Sequence, residues 1–260
     1  MGEGGRYWEI DTFRGIALLM MLIYHTLFDI AWLGISPVPV LQGFWRFFAI
    51  ATAALFVLIA GVSLTLSLAR ASPPGVNQDC PYTPVLKRGA TIFACGLLIT
   101  AITWILLPGE SVFFGILHLI GIAVMIGPLF LRYPRTLLPL GLAFVLAGFI
   151  VARVQGPVWL LWLGVHPTAF ASLDYTPLLP WFGVFLIGAS IGNRLYPRGV
   201  RRIPLAHHCP PGLLPISYIG RHTLLIYLIH QPVILAALLI LTGQWDLITT
   251  VTSGSLLPGG

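Results

Sequence analysis

Long apolar runs separated by short polar segments dominate the chain. A transmembrane helix needs about 20 consecutive apolar residues, and seven runs reach or approach that length. They are residues 13–34, 44–69, 89–107, 112–131, 136–152, 177–195 and 219–242. The pattern predicts an all-α fold, a polytopic bundle of about seven transmembrane helices that forms a single domain over residues 1–260.

The composition places the surface of this bundle in lipid. Hydrophobic residues make up 57% of the chain and charged residues 8%, whereas soluble domains have about 25% charged residues. With the N-terminus inside, twelve of the 14 lysines and arginines fall in inner segments, and only Arg46 and Arg153 fall in outer ones. The positive-inside rule therefore predicts an N-in, C-out protein of the cell membrane. The same asymmetry accounts for the net charge and indicates membrane lipids, not nucleic acid, as partners.

Several common enzyme signatures are absent from the sequence. It contains no P-loop, HExxH or Rossmann motif, which argues against ATP-driven transport, zinc peptidases and dinucleotide-binding enzymes. No metal is predicted.

A few ionisable residues interrupt the apolar runs. They are His25 and Asp29 in the first run, Arg46 at the start of the second, His118 in the fourth and His230 in the seventh. Each such group costs about 2.5–3.5 kcal/mol on insertion scales, so an intramembrane ionisable residue indicates a functional site.

The three histidines fall at similar predicted depths. With Arg14 and Arg221 at the inner boundary, His25 and His230 lie about 16 and 14 Å deep, and His118 lies about 12 Å below the outer surface. Asp29 follows His25 by one helical turn and shares its face. A histidine beside a carboxylate can deprotonate a hydroxyl or an amine. The alternative is that Asp29 pairs with Arg46 to join two helices, with the histidines as buried hydrogen-bond donors.

The first run and the residues just before it also carry a family signature. Asp11, Arg14-Gly15 and His25 resemble the opening of the type-3 membrane acyltransferases, which acylate envelope sugars. The rest of the chain more closely resembles the heparan-α-glucosaminide N-acetyltransferase catalytic-domain family. The resemblance is carried by the segments LFVLIAGVS (55–63), FGILHLIG (114–121), YTPLLPWFGVFLIG (175–188) and GRHTLLIYLIHQP (220–232).

The resemblance implies acetyl transfer from cytoplasmic acetyl-CoA to an amino or hydroxyl group of a sugar or lipid-linked glycan at the outer face. Heparan-active relatives carry a histidine shortly after the first helix, but no histidine lies between His25 and His118 here. His25 is therefore the expected general base, or it carries the acyl group briefly. The expected site has catalytic His25, Asp29 and His118; donor-binding Arg14, Arg88 and Arg221; and acceptor-binding Arg46, His230 and Trp181.

Two other classes of protein fit the buried polar residues. A haem or quinone protein would use the histidines as ligands, and a proton-coupled transporter would use His25 and Asp29 as a relay. The sequence shows no inverted repeat of the kind common in transporters, and it leaves a homo-oligomer open.

Overall fold

The computed structural model describes residues 7–71, 82–107, 111–168, 170–206 and 208–243. The regular structure in these ranges is helical, apart from two isolated β-bridges. The helices are α1 (Trp8–Trp32), α2 (Gly43–Ala71), α3 (Tyr82–Leu106), α4 (Ile116–Leu131), α5 (Leu137–Val151), α6 (Leu178–Leu195), α7 (Leu214–Arg221) and α8 (Thr223–Thr242). The predicted all-α fold is confirmed.

Five of these helices, α1, α2, α3, α6 and α8, are long and apolar enough to cross a membrane. Large apolar side chains on them are exposed, as a lipid-facing surface requires; Ile105 is 76% exposed and Leu241 81%. The 16 residues of α4 and 15 of α5 extend only about 24 and 22 Å, less than the roughly 30 Å hydrocarbon core. The chain is a helical membrane protein, whereas the count of seven spans and the orientation stay predictions.

The described chain divides into two compact units. The first contains α1, α2 as far as Phe56, α7 and α8; the second begins at Val57 and contains the rest of α2 with α3 to α6. The single domain expected from the sequence stays a prediction.

In the first unit, α1 packs against both α7 and α8. Two glycines allow the backbones of α1 and α7 to approach closely. A Cβ atom at Gly15 would overlap the carbonyl group of Ile216, and one at Gly220 would overlap the carbonyl oxygen of Asp11. Any larger residue at either position would push the two helices apart.

In the second unit, α3 packs on α4, α5 packs on α6, and α4 contacts α6. Gly188 and Gly192 form a GxxxG motif on α6, a pattern typical of close helix packing in membranes. A Cβ atom at Gly188 would overlap the backbone of Leu58, and one at Gly192 would meet Val62 and Thr65. The motif therefore packs α6 against the second half of α2.

Two helix boundaries differ from the predicted runs. Helix α1 begins at Trp8 rather than at residue 13, because Glu9 and Asp11 are buried within its first turn. The run 219–242 covers the end of α7 and all of α8, which are separated at His222.

Candidate active site

Helices α1 and α8 bring two of the predicted histidines together. The ring centroids of His25 and His230 are 4.9 Å apart, with the ring planes inclined by 59°. Tyr24 packs edge-on against His25 at 5.9 Å. The structure thus pairs the expected base, His25, with a residue that the sequence analysis assigned to acceptor binding.

The hydrogen bonding of His230 fixes its tautomer. Its Nδ1 atom lies 2.5 Å from the carbonyl oxygen of Tyr227. Because a carbonyl can only accept, Nδ1 carries the proton and donates, and Nε2 of the neutral ring holds a lone pair. The residue is only 7% exposed, and Nε2 has no hydrogen-bond partner among the described residues. His230 therefore has a buried nitrogen that is free to accept a proton.

One turn along α1 from His25, the Asp29 side chain is anchored to α8. Gln231 Nε2 donates to both carboxylate oxygens, at 2.7 and 2.9 Å, and Asp29 is 1% exposed. This bonding fixes the amide orientation, because a flipped amide would place oxygen against oxygen. Gln231 Oε1 is buried and lacks a partner within the described ranges.

The alternative pairing of Asp29 with Arg46 is wrong. The polar partner of Asp29 is Gln231, whereas Arg46 is exposed near the start of α2. The described residues also show no hydrogen bond between Asp29 and His25. The roles of Asp29 in orienting His25 and of Arg46 in binding the acceptor stay predictions.

A charged cluster lies nearer the N-terminal end of α1. Arg14 donates to Asp11 Oδ1 at 2.9 Å, and Arg221 Nε lies 3.7 Å from Asp11 Oδ2. The Asp11 side chain is 3% exposed, whereas each arginine side chain is 25% exposed. The close approach at Gly15 and Gly220 places these residues together. Two of the three arginines expected to bind the donor therefore lie side by side.

His118 lies in the second unit, in the first turn of α4. The Gly115 N–H donates to His118 Nδ1 at 3.2 Å, so the proton resides on Nε2, which lies 3.4 Å from Thr100 Oγ1. Thr100 in turn donates to the carbonyl of Val112 at 2.6 Å. His118 thus has a hydrogen bond at each nitrogen, one that caps the start of α4 and one that joins α4 to α3, and its assisting catalytic role stays a prediction.

Asp174 holds the N-terminus of α4 from the segment before α6. Its Oδ2 accepts from the Ile116 N–H at 2.9 Å, and its Oδ1 accepts from the Thr176 hydroxyl at 2.8 Å. In the adjacent position, burial raises the pKa of Tyr175 to about 12, so its hydroxyl stays protonated and donates to the Leu161 carbonyl. An acidic group at a helix N-terminus is favourable, and this one stabilises the start of α4.

The other expected site residues lie in the second unit. Arg88 is exposed on α3, and Trp181 is half-buried on α6; their binding roles stay predictions. Sequence reasoning missed Gln231 and Tyr227, which orient the groups around the histidines, and Asp11, which holds the two arginines. Only Asp11 had a usable signal, since it precedes Arg14 by three residues on one helix face.

These observations define an integral membrane protein in which two histidine rings meet between two helices. The family model described as "Heparan-alpha-glucosaminide N-acetyltransferase, catalytic" matches residues 6–232. The chain therefore belongs to this family and is a membrane acyltransferase. No curated protein and no solved structure matches the chain.

Proposed function

We propose that the protein transfers an acyl group, expected to be acetyl, from cytoplasmic acyl-CoA to an amino or hydroxyl group of a sugar or glycan at the outer face of the cell membrane. The acceptor loses its proton to the His25–His230 pair. Family membership supports acyl transfer over the transporter and haem or quinone alternatives.

The observation that carries this proposal is the presence of two polar layers along α1. Arg14 of α1 and Arg221 of α7 meet at Asp11, and His25 meets His230 of α8 further along α1. His25 follows Arg14 by eleven positions, or about 16 Å along α1. Acyl-CoA carries its phosphates and its thioester at opposite ends of a long flexible arm, and such a donor suits a charged layer that is separated from a proton-accepting layer.

The charged layer suits the phosphates of the donor. Each guanidinium has five N–H donors in a planar fork that fits phosphate oxygens. Asp11 contacts some of these N–H groups, and 25% of each arginine side chain is exposed. In the proposed site, Arg14 and Arg221 contact a donor phosphate while Asp11 holds them in position.

The donor assignment is tested by binding. A hydrogen bond to a charged group contributes about 1.5–3 kcal/mol, so we expect Arg14→Ala to weaken acyl-CoA binding by tenfold or more. Arg135→Ala, which removes an exposed arginine, is the matched control. Calorimetric titration of both variants in detergent would measure this. Equal affinities would remove Arg14 from the donor site.

The reaction is tested with labelled acetyl-CoA. The protein in lipid nanodiscs is incubated with neutral sugars, amino sugars and lipid-linked glycans, and products are identified by mass spectrometry. We expect labelled acetyl on one acceptor class and release of free CoA in equal amounts. His208→Asn, which changes an exposed loop histidine, should remain active. A folded protein that consumes no acetyl-CoA with any acceptor class would refute the proposal.

A further inference from the structure

We infer that His230, rather than His25, is the general base of the transfer, with Nε2 as the atom that takes the proton. This inference rests on the proposed function. It changes the roles expected from the sequence, which made His25 the base and placed His230 with the acceptor-binding residues.

The first argument is the orientation of the imidazole. A general base needs a lone pair in a fixed direction, and histidine provides it when its other nitrogen donates to a fixed acceptor. His230 Nδ1 donates to the backbone carbonyl of Tyr227 one turn earlier on α8. A backbone carbonyl in a helix cannot rotate away, so the Nε2 lone pair is held in one direction.

His25 has no equivalent support. Within the part of the chain that the structure describes, His25 makes ring contacts with Tyr24 and His230 but no hydrogen bond. Its tautomer is therefore not fixed, and neither nitrogen is oriented as a base. The ring of His25 instead packs on His230 and restricts the position of that imidazole.

The second argument is the chemical character of the surroundings. His230 Nε2 and Gln231 Oε1 are both buried acceptors without partners in the described ranges, and the nearby Asp29 carboxylate can also only accept. An unpaired buried acceptor costs about 1–3 kcal/mol. A group carrying O–H or N–H bonds, such as the sugar acceptor, would satisfy these atoms. Unpaired acceptors beside His230 Nε2 are therefore consistent with a site that receives a proton.

The resulting step is balanced. The acceptor oxygen or nitrogen attacks the thioester carbon of acyl-CoA while its proton moves to His230 Nε2, and a C–O or C–N bond forms. The C–S bond then breaks, and the sulfur leaves with the electron pair. The proton on Nε2 passes to that sulfur, so the products are the acylated acceptor and CoA thiol. His230 returns to the neutral tautomer seen in the structure.

Matched substitutions separate the two histidines. His230→Asn retains an amide N–H at the position of Nδ1, which can still donate to Tyr227, but it has no atom at the position of Nε2. His230→Gln places an amide at Nε2, which cannot take a proton at neutral pH. General-base loss reduces turnover by about 10²–10⁴-fold. We expect both variants to lose kcat in this range with little change in KM, and His25→Asn to lose less than tenfold.

Two outcomes would overturn the assignment. One is a folded His230→Asn and His230→Gln pair whose turnover stays within tenfold of the unsubstituted protein. The other comes from nitrogen-15 NMR of the histidine-labelled protein, with single substitutions of the other six histidines used to identify the His230 signals by elimination. We expect a protonated Nδ1 and an unprotonated Nε2; the opposite tautomer would refute the inference even if both variants fail to fold. Absence of any acetyl-CoA turnover in the unsubstituted protein would instead refute the proposed function.

Discussion

The pairing of Asp29 with Gln231 predicts a strong coupling between two transmembrane helices. Asp29 is 1% exposed, and both of its carboxylate oxygens accept from a single amide nitrogen. Gln231→Leu would leave a buried carboxylate without either bond. Hydrogen bonds to charged groups contribute about 1.5–3 kcal/mol, so we expect this substitution to lower the free energy of unfolding by about 3 kcal/mol.

A double-mutant cycle isolates the interaction from the loss of either side chain. The cycle uses Asp29→Leu, Gln231→Leu and the double variant, because two leucines replace the polar pair by groups that need no partner. Polar interactions between transmembrane helices average about 0.6 kcal/mol in such cycles and reach about 1.7. The enclosed carboxylate should exceed that range, with a coupling energy of about 2 kcal/mol.

Reversible unfolding in mixed detergent, followed by circular dichroism, measures each free energy. Gln42→Leu is the matched control, since Gln42 is exposed before α2 and should change stability by less than about 0.5 kcal/mol. A coupling energy at or below about 0.6 kcal/mol would show that the bond between Asp29 and Gln231 is an ordinary polar contact. It would also remove the reason to regard Gln231 as the residue that anchors Asp29.

Three further predictions test other parts of the structure. Gly220→Ala should destabilise the protein by about 1–3 kcal/mol, because the added methyl group overpacks against Asp11. The control Gly212→Ala, which has open space around it, should not change stability. Equal stabilities of the two variants in detergent unfolding would contradict the close approach of α1 and α7. Asp174→Ala should lower the unfolding free energy by about 1 kcal/mol, the usual cost of a lost helix cap; unchanged stability would show that the bond to α4 contributes nothing. Cys209 lies in a predicted inner loop, so a membrane-impermeant maleimide should label it in inverted vesicles but not in intact cells. Labelling of Cys209 in intact cells would overturn the predicted orientation.

The helices could be predicted from the sequence because a lipid-facing surface needs long apolar runs. The boundaries were less accurate where polar residues are buried. Glu9 and Asp11 appeared to precede the first helix, yet both lie within α1, and Asp11 is neutralised there by two arginines from α1 and α7. Hydropathy along the chain cannot detect such pairing, because the partner at residue 221 is remote in sequence.

Part of the site could be predicted from the positions of polar residues along the apolar runs. The helix rise placed His25 and His230 at similar depths, and the structure brings their rings into contact. Gln231, the partner of Asp29, could not be found in this way, because the sequence signal for a site was an ionisable residue and glutamine is uncharged. The alternative interpretation paired Asp29 with Arg46, because ionisable residues within a membrane tend to pair with one another. Arg46 is exposed, and an amide on α8 occupies the carboxylate.

The two polar layers of the first unit differ in a way that bears on their functions. In the charged layer, one buried carboxylate contacts two arginines, so donors and acceptors are present together and the layer can join α1 to α7. In the layer of His25 and His230, the buried atoms without a partner in the described ranges are acceptors, Nε2 of His230 and Oε1 of Gln231. A layer that only held helices together would be expected to include donors for these atoms, because unpaired buried acceptors are costly. The acceptor substrate of the proposed reaction would supply these donors, because it brings the O–H or N–H bond that acyl transfer consumes.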